Sequence, residues 1–451
     1  MLKKIKTFKV LDIYYKSPVF IQHAMTSAYG YKLKRERYRK IYRSALKRYV
    51  KGDFDKEQEL LHLMEHLKNN IPVYKDIKAD EDNIMESFFK LPFTVKEDLR
   101  NELEERSWKE GIIRISRTSG TTGANLIVYD SEYDREERMA YLDYIKYING
   151  VVPFSKRASF TGQELTPVNH KDKMWRYNYP MRQMLYSTGC MRPDNVGKIY
   201  ESLRRFKPVS LDGMPHSMHM VAQYILKNDI KVDWDIKAIF PTAETLLPYI
   251  KRDLEQAFNT VVIDQYSSAE GAPFIYGTQD GGYKIGDETG LVEFYKVSEG
   301  MYEGVMTSFI NYATPIVRYK IGDLFEVDSD KEYFNSFEAD FDIVKIIGKE
   351  ADYLYHTDGH KVMTNIVMFL MDGHEENIVQ AQFIQKVMNE FVVNIVKDSG
   401  YTDMDEYLIK KRMYRMLGEN IQITFNYTDN ISKEKSGKVR FIINEVGDAV
   451  A

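Results

Sequence analysis

Hydrophobic residues recur at helical spacing in the first part of the chain. Within residues 20–70, aromatic and alanine positions repeat every three or four residues, a period typical of amphipathic helices. The repeating positions are Tyr38, Tyr42, Ala45 and Tyr49. A more acidic amphipathic stretch follows at residues 57–68. The pattern predicts a helical N-terminal segment over residues 1–70.

From about residue 110 the period changes, and short apolar runs alternate with helical stretches at residues 215–227 and 244–258. The runs that predict strands are Ile112–Ser116, Leu126–Tyr129, Ala238–Phe240 and Val261–Ile263. This alternation is typical of an α/β core with a partly parallel sheet. Between residues 281 and 326, glycine-rich turns separate short strands, which predicts a smaller antiparallel section.

The end of the chain has the pattern of a compact α+β unit that can fold separately. Its predicted strand, helix and strand are Phe391–Val396, Asp403–Leu417 and Ile421–Tyr427. The sequence therefore predicts a large N-terminal α/β domain followed by a small α+β C-terminal domain.

Composition narrows the class of protein. The chain has 451 residues, 43% hydrophobic and 29% charged, with a formal net charge of −4, which is ordinary for a folded soluble chain. Its single cysteine, Cys190, excludes a disulfide framework and a cysteine-based zinc site. No apolar run approaches the roughly 20 residues of a membrane helix. Charged residues also interrupt any signal-peptide core, so we expect a cytoplasmic protein.

Positive charge is concentrated at the start of the chain. Residues 1–51 contain 15 Lys and Arg against Asp12 and Glu36, a local net charge of +13. Such a segment can make peripheral contact with an anionic membrane, or bind a sugar nucleotide or nucleic acid. We favour a solvated helix face that an acidic surface of the same chain neutralises. A specific nucleic-acid partner is not expected, since the sequence has no recognisable nucleic-acid-binding module.

A loop rich in glycine and hydroxyl side chains, residues 117–123, lies between two predicted strands. Backbone N–H groups and hydroxyls next to glycines can converge on a phosphate. The loop lacks the Gly-Lys-Ser/Thr ending of a Walker P-loop, and a cluster of this kind, taken alone, is more often an ordinary turn. Three further polar clusters follow predicted strands: Thr242–Thr245, Asp264–Glu270 and Arg318–Asp323. Because ligand sites gather at the carboxyl ends of strands, we expect these clusters to meet in one crevice.

In their order and chemistry these clusters resemble the adenylate-forming enzymes, which include the acyl- and aryl-CoA ligases. The best match is the phenylacetate–CoA ligase branch, in particular its relatives in capsular-polysaccharide gene clusters. The resemblance covers almost the whole chain, and includes residues 211–217 and Ser436–Ile442. It implies an ATP-dependent carboxylate ligase with ATP and Mg²⁺ as cofactors, acting in polysaccharide or secondary-metabolite biosynthesis.

The resemblance also assigns residues. It implies that ATP contacts Thr118, Ser119, Thr121, Ala243, Glu244, Asp264, Tyr266, Ser267, Asp323 and Lys349. Among these, Tyr266 would pack on the adenine and Asp323 would accept hydrogen bonds from the ribose hydroxyls. The implied catalytic residues are Lys438, Glu270 and Thr122, of which Glu270 and Thr122 would hold Mg²⁺. Lys438 would bridge the carboxylate and the α-phosphate.

The implied domains are residues 1–347 and 353–451, joined by a hinge at residues 348–352. Here the sequence departs from the family pattern, because Lys349 replaces an arginine and Ala351 replaces an acid. Thr242 and Thr245 likewise replace a common glycine and proline. These changes put in question the domain rotation that a second half-reaction requires.

The acid and the acyl acceptor stay open. The expected substrate pocket comprises residues 160–162, residues 211–215 and the strand before Tyr266, and Asp212 with Gln163 suggests a polar carboxylate. The acceptor is coenzyme A, an amine or a sugar hydroxyl. Two alternatives remain: an adenylyltransferase that stops at the AMP adduct, and a non-catalytic nucleotide-binding scaffold. The pairs His216/His219 and His356/His360 are expected to be structural, and the oligomeric state is not predicted.

Overall fold

The computed structural model describes residues 13–77, 83–117, 126–162, 165, 174–338, 341–349, 353–359, 361–363, 367–371, 377–432 and 439–446. The N-terminal part is helical, as predicted. Its helices are α1 (Val19–Arg37), α2 (Lys40–Lys51), α3 (Lys56–Asn70), α4 (Ile84–Phe89) and α5 (Lys96–Asn101). Helix α3 begins at Asp55, whose side chain accepts hydrogen bonds from the N–H groups of Glu57 and Gln58.

A two-stranded antiparallel hairpin follows, formed by β1 (Ile112–Arg117) and β2 (Ile127–Ser131). Helix α6 (Glu132–Ile148) continues directly from β2 and begins with a capping box between Ser131 and Asp134. The hairpin strands were both predicted. The loop between them, residues 118–125, lies outside the described residues.

Helix α6 supplies acidic partners for part of the basic N-terminal segment. Glu137 pairs with Arg48 at 3.1 Å and accepts a 2.6 Å hydrogen bond from the Tyr49 hydroxyl. Glu136 accepts hydrogen bonds from the N–H groups of Arg39 and Tyr42. The favoured interpretation of the basic residues is thus met in part: within α2 an acid neutralises Arg48, whereas the other basic side chains, Lys40, Arg43, Lys47 and Lys51, are exposed to solvent.

The central sheet has six strands in the order β4-β5-β3-β6-β7-β8. They are β3 (Arg157–Thr161), β4 (Trp175–Asn178), β5 (Gln183–Ser187), β6 (Ser210–Gly213), β7 (Ala238–Pro241) and β8 (Val261–Val262). All neighbouring pairs are parallel except β4 with β5. The crossover helices are α7 (Pro193–Phe206), α8 (Pro215–Lys227) and α9 (Pro248–Phe258). The predicted partly parallel α/β core is confirmed.

The antiparallel sheet has eight strands, in the order β15-β12-β13-β14-β16-β11-β10-β9. They are β9 (Gln265–Tyr266), β10 (Ile275–Gly277), β11 (Tyr283–Ile285), β12 (Gly290–Ser298), β13 (Met301–Ser308), β14 (Tyr319–Asp328), β15 (Tyr333–Asn335) and β16 (Asp342–Lys349). The expectation of a smaller antiparallel section was wrong. The sheet recruits strands from outside residues 281–326, and β9, β10 and β11 are too short to give a clear alternating pattern.

The C-terminal domain is α+β, as predicted, with helix α10 (Asp403–Leu417) packed on a four-stranded sheet in the order β21-β20-β19-β22. The sheet strands are β19 (Ile378–Val387), β20 (Glu390–Lys397), β21 (Gln422–Tyr427) and β22 (Ile442–Asn444), and a hairpin of β17 (Tyr353–Tyr355) and β18 (Lys361–Met363) precedes them. Buried residues of α8 and of this sheet belong to one hydrophobic cluster. The predicted hinge begins in the last two residues of β16, and residues 350–352 lie outside the described part.

The antiparallel sheet is held by a buried ion pair between Arg318 and Glu293. The guanidinium donates from Nε and Nη2 to the two carboxylate oxygens at 3.0 and 2.8 Å. Its Nη1 also donates to the carbonyl oxygens of Phe89 and Leu91 at 2.6 and 2.7 Å. Arg318 thus joins β12 to the segment around α4 and sets the start of β14.

Glu293→Gln should therefore destabilise the protein by about 3–5 kcal/mol, because it leaves the Arg318 charge buried without its counter-charge. The measurement is the shift of the urea unfolding midpoint. Glu303→Gln is the matched control on the next strand, since its partner Lys320 is 38% exposed at 3.6 Å. An exposed pair contributes about 1 kcal/mol at most. Equal shifts for the two variants would contradict this role of Glu293.

Candidate nucleotide-binding and active site

The structure brings Tyr266 and Asp323 together at the predicted crevice. The Tyr266 hydroxyl, at the end of β9, donates a 2.5 Å hydrogen bond to Asp323 Oδ2 in β14. Burial, followed by the negative charge of Asp323, raises the pKa of Tyr266 well above its usual value. Tyr266 therefore stays protonated and donates to the carboxylate. The pair places an aromatic ring beside a carboxylate, the two groups that the resemblance assigns to adenine and ribose.

Lys349 is brought to the same place by the register of the sheet. It stands directly opposite Asp323 across β14 and β16. Its side chain lies outside the described part of the structure. The backbone position alone is consistent with the predicted nucleotide contact.

Glu244 links the large domain to the C-terminal domain. It follows β7 at a turn in which Ala243 adopts a left-handed φ of 75°, a conformation that costs a non-glycine residue energy and often marks a functional turn. Glu244 Oε2 lies 3.1 Å from His216 Nδ1, and Oε1 accepts a 2.9 Å hydrogen bond from the Val439 N–H. One carboxylate thus joins β7, α8 and the segment that follows Lys438.

The neighbours of the Glu244 carboxylate stabilise its negative charge. Although burial opposes ionisation, His216 and the Val439 N–H hold the pKa of Glu244 below its usual value. The side chain of Glu244 is only 4% exposed. It is therefore ionised at neutral pH and can hold the C-terminal domain through a charge-assisted hydrogen bond.

Asp264 and Ser267 differ from each other in their surroundings. Asp264 Oδ2 accepts a 2.9 Å hydrogen bond from the Tyr283 hydroxyl, and Oδ1 accepts one from the Gln265 N–H. Burial raises the pKa of Asp264 to about 6. The side chain of Ser267, two residues past Gln265, is exposed. Asp264 is thus engaged within the sheet, whereas Ser267 faces outward.

Glu270 provides a hard oxygen donor for a cation. Its side chain is buried, and its carbonyl oxygen accepts a 2.7 Å hydrogen bond from Asn311 Nδ2. Asn311 Oδ1 is buried without a hydrogen-bond partner among the described residues. Mg²⁺ takes few protein ligands and completes its shell with water and phosphate, so the Glu270 carboxylate and the unsatisfied Asn311 Oδ1 are candidate oxygen ligands. The described residues contain no group of three acidic, His or Cys side chains that could hold a metal alone.

The residues expected to bind the acyl group are placed only in part. Phe160 is buried and stacks on Tyr186 with ring centroids 5.1 Å apart. Asp212 pairs with Lys146 at 3.2 Å and with Arg157 at 3.7 Å. Asp212 is therefore committed to the core, and the expectation that it signals a polar carboxylate was wrong. Gln163 lies outside the described residues.

Several predicted site residues fall outside the described part of the chain. They are Thr118, Ser119, Thr121, Thr122 and Lys438. The structure adds Asn311, which the sequence did not indicate, and brings His216, expected only to be structural, to Glu244. Local patterns give no signal for them, because their partners Glu244 and Glu270 are distant in the chain. The structural role expected of His219 is confirmed by its 2.8 Å contact with Asp253.

Comparison with known proteins places the chain in a family. Residues 354–445 match the CapK C-terminal domain. Protein CapK of Staphylococcus aureus is 32% identical over 96% of this chain and 99% of its own length. The chain belongs to the CapK family.

Solved structures show that this CapK-family chain has the fold of the adenylate-forming CoA ligases. 2-Hydroxyisobutyryl-CoA ligase, in the postadenylation state in complex with R3-HIB-AMP, aligns at a TM-score of 0.64 with 15% identity, over 86% of this chain and 88% of that one. The anthranilate CoA ligase AuaEII in complex with anthranoyl-AMP aligns at 0.50 with 13% identity, over 74% and 66%. The expected fold and CapK-type relatives are confirmed. Within the described residues, no helix combines the length and apolar character needed to cross a bilayer.

Glu244→Ala should loosen the C-terminal segment of this CapK-family protein. Hydrogen bonds to a charged acceptor contribute about 1.5–3 kcal/mol, so amide exchange in residues 439–446 should accelerate about 10- to 100-fold. The measurement is hydrogen–deuterium exchange without nucleotide. Asp253→Asn, which removes a similar histidine–carboxylate pair within the large domain, should leave this segment unchanged. Unaltered exchange in Glu244→Ala would show that the contact does not hold the domain.

Proposed function

We propose that this protein is an ATP-dependent carboxylate ligase. A carboxylate oxygen of the substrate attacks the α-phosphorus of ATP, the bond to the β-phosphate oxygen breaks, and pyrophosphate leaves with the electron pair. A coenzyme A thiol, an amine or a sugar hydroxyl then attacks the acyl carbon of the adenylate, and AMP departs. The observation that carries this proposal is the hydrogen bond from the Val439 N–H to Glu244, because it holds the residue after Lys438 at the crevice.

The nucleotide site is proposed from the contacts among the described residues. Asp323 presents a carboxylate that can accept from two ribose hydroxyls once the Tyr266 hydroxyl gives way. The ring of Tyr266 can pack against adenine, next to Ala243 and Glu244. The structural relatives named above hold acyl-AMP molecules, which supports an adenylate in this crevice. Thr118, Ser119 and Thr121 would complete the site around the phosphates.

A cation site is proposed at the phosphate end. Glu270 and Asn311 would hold Mg²⁺ together with Thr122. When bound, the ion would offset the charge of the triphosphate and of the departing pyrophosphate. The Asn311 amide holds the main-chain carbonyl of Glu270, and Arg138 donates a 2.7 Å hydrogen bond from Nη2 to the Ser268 carbonyl in the same loop.

Lys438 would supply positive charge to the reacting phosphorus. Its neighbour Val439 is held by Glu244 through the 2.9 Å hydrogen bond from the Val439 N–H. An ammonium placed where negative charge develops lowers the barrier in the transition state. After adenylation the Glu244 contact would have to break for the C-terminal domain to rotate.

A panel of carboxylic acids, assayed with ATP and Mg²⁺ in the presence and absence of coenzyme A, tests the proposal. A ligase releases AMP with at least one acid. An adenylyltransferase would retain AMP in the product, and a scaffold would bind ATP without consuming it. The panel also identifies the acyl group and the acceptor, which we place among coenzyme A, amines and sugars.

Asp323→Ala should weaken ATP binding while leaving the fold intact. Removing a charge-assisted acceptor typically costs about 2–3 kcal/mol of binding. Titration calorimetry measures the affinity, and the exposed Asp328 at the end of the same strand provides the control variant Asp328→Ala. Unchanged ATP affinity in Asp323→Ala would remove the ribose assignment.

Lys438→Ala should abolish formation of the acyl-adenylate and spare acyl transfer from a chemically supplied adenylate. The charge is needed only while the pentavalent phosphorus forms. Chromatography of the two half-reactions separates these effects. Lys433→Ala and Lys435→Ala are controls, because they remove the same charge nearby. Equal slowing of adenylation by all three variants would indicate a diffuse positive patch instead of a catalytic lysine.

A further inference from the structure

Four arginines gather on one side of the β1–β2 hairpin, outside the residues assigned to ATP. Arg114 in β1 stands opposite Asp130 in β2. Helix α6 adds Arg135 and Arg138, and Arg37 lies in the last turn of α1. We call these four residues the arginine cluster. Three different elements therefore direct guanidinium groups to one place.

Three arginines of the cluster surround a single carboxylate, that of Asp130, without forming a close ion pair with it. Asp130 lies 4.0, 3.9 and 4.0 Å from the nearest guanidinium nitrogens of Arg114, Arg135 and Arg138. Its own short hydrogen bond, 2.6 Å, comes from the Ser116 hydroxyl. Guanidinium forks normally pair with carboxylates at about 2.7–2.9 Å. Asp130 thus leaves most of the donors of the cluster unused.

The other acids of α6 are committed elsewhere. Glu136 and Glu137 form hydrogen bonds and an ion pair with residues of α2, as described above, and Glu132 pairs with Arg39. Asp134 accepts hydrogen bonds from the N–H groups of Tyr312 and Ala313. Burial lowers the pKa of Arg138, and the further negative charge that Asp134 and Glu270 place near it acts to raise that pKa against the larger effect of burial. Arg114 and Arg135 share Asp130 as a counter-charge, and Arg37 adds positive charge next to Arg135.

The electrostatic state of the cluster agrees with this excess of positive charge. Burial, and then the charges of Arg37 and Arg114, lower the pKa of Arg135 to about 10. Arg37 Nε is buried without a hydrogen-bond partner among the described residues. The Arg114 side chain is 50% exposed, so the cluster is open to solvent. A ligand with several anionic oxygens would satisfy both the charge and the donors.

We propose that the arginine cluster is a binding subsite for a phosphate group carried by the acyl acceptor. This inference rests on the proposed ligase function. The cluster is connected to the active site, because Arg138 donates to the Ser268 carbonyl two residues before Glu270. Arg114 lies three residues before Arg117, the end of β1, which is roughly 10 Å along the strand. Because the loop assigned to ATP begins after Arg117, this separation favours a phosphate of the second substrate over the phosphates of ATP.

Coenzyme A and a nucleotide-linked amino sugar both carry such phosphates, and the experiment distinguishes them. The test variant is Arg114→Gln/Arg135→Gln. The control is Arg35→Gln/Arg43→Gln, which removes two exposed arginines of α1 and α2. Binding is measured by calorimetry with α,β-methylene-ATP present. The probes are coenzyme A, uridine diphosphate glucosamine, and their phosphate-free counterparts pantetheine and glucosamine.

At least one phosphate-bearing probe should bind the wild-type chain and bind the test variant about tenfold or more weakly. The control variant and the phosphate-free probes should show no such difference. Inorganic pyrophosphate, added with the ATP analogue, should raise the melting temperature of the wild type and of the control but not of the test variant. The probe that binds identifies the source of the phosphate.

The inference is wrong if neither phosphate-bearing probe binds the wild type, or if the test variant binds it equally well. It is also wrong if the test variant loses the ATP analogue by the same factor, since the cluster would then belong to the ATP site. The carboxylate panel reports on the ligase function separately. Phosphate-dependent binding without AMP formation would contradict the ligase function and retain the anion subsite.

Discussion

The Glu244 carboxylate is the point on which the organisation of the active site depends. One of its oxygens contacts the imidazole of His216 in α8, and the other accepts a hydrogen bond from the Val439 N–H of the C-terminal domain. The hydrophobic cluster between α8 and the C-terminal sheet holds the two domains together but does little to fix their relative orientation, because apolar contacts are non-directional. A hydrogen bond to a buried, ionised acceptor does fix an orientation. It determines which part of the C-terminal domain faces the crevice, and places the residue after Lys438 there.

Local signals in the sequence were sufficient for much of the fold. Helix α10 has its predicted bounds because Thr402 and Asp405 form a capping box and Gly418 follows its end. The parallel core was predicted because its strands are short apolar runs between amphipathic helices. Strand β19 was missed although residues 379–383 alternate between apolar and polar side chains; its Gln380, Gln382 and Gln385 are nevertheless buried. The extent of the antiparallel sheet was missed because its outer strands have two or three residues.

The sequence predicted those residues of the candidate site that belong to short motifs arranged in the family's order along the chain. The carboxylate of Asp323 and the ring of Tyr266 were identified from such motifs, and the structure brings them together. Their mutual hydrogen bond, the Glu244–Val439 contact and the Arg318–Glu293 pair join residues far apart in the chain, so no local period reveals them. Asp212 shows the converse error. This polar residue beside an expected pocket was interpreted as a substrate contact, whereas its carboxylate pairs with the side chains of Lys146 and Arg157.

The ion pairs of helix α6 likewise involve residues that are far apart in the chain. Helix α6 pairs Glu137 with Arg48 of α2 and contributes Arg135 and Arg138 to the arginine cluster beside the hairpin. The central claim, that this chain activates a carboxylate as an adenylate, is tested most directly by exchange of labelled pyrophosphate into ATP. The account predicts exchange that requires both Mg²⁺ and a carboxylic acid. ATP binding without exchange, for every acid of a broad panel, would contradict it.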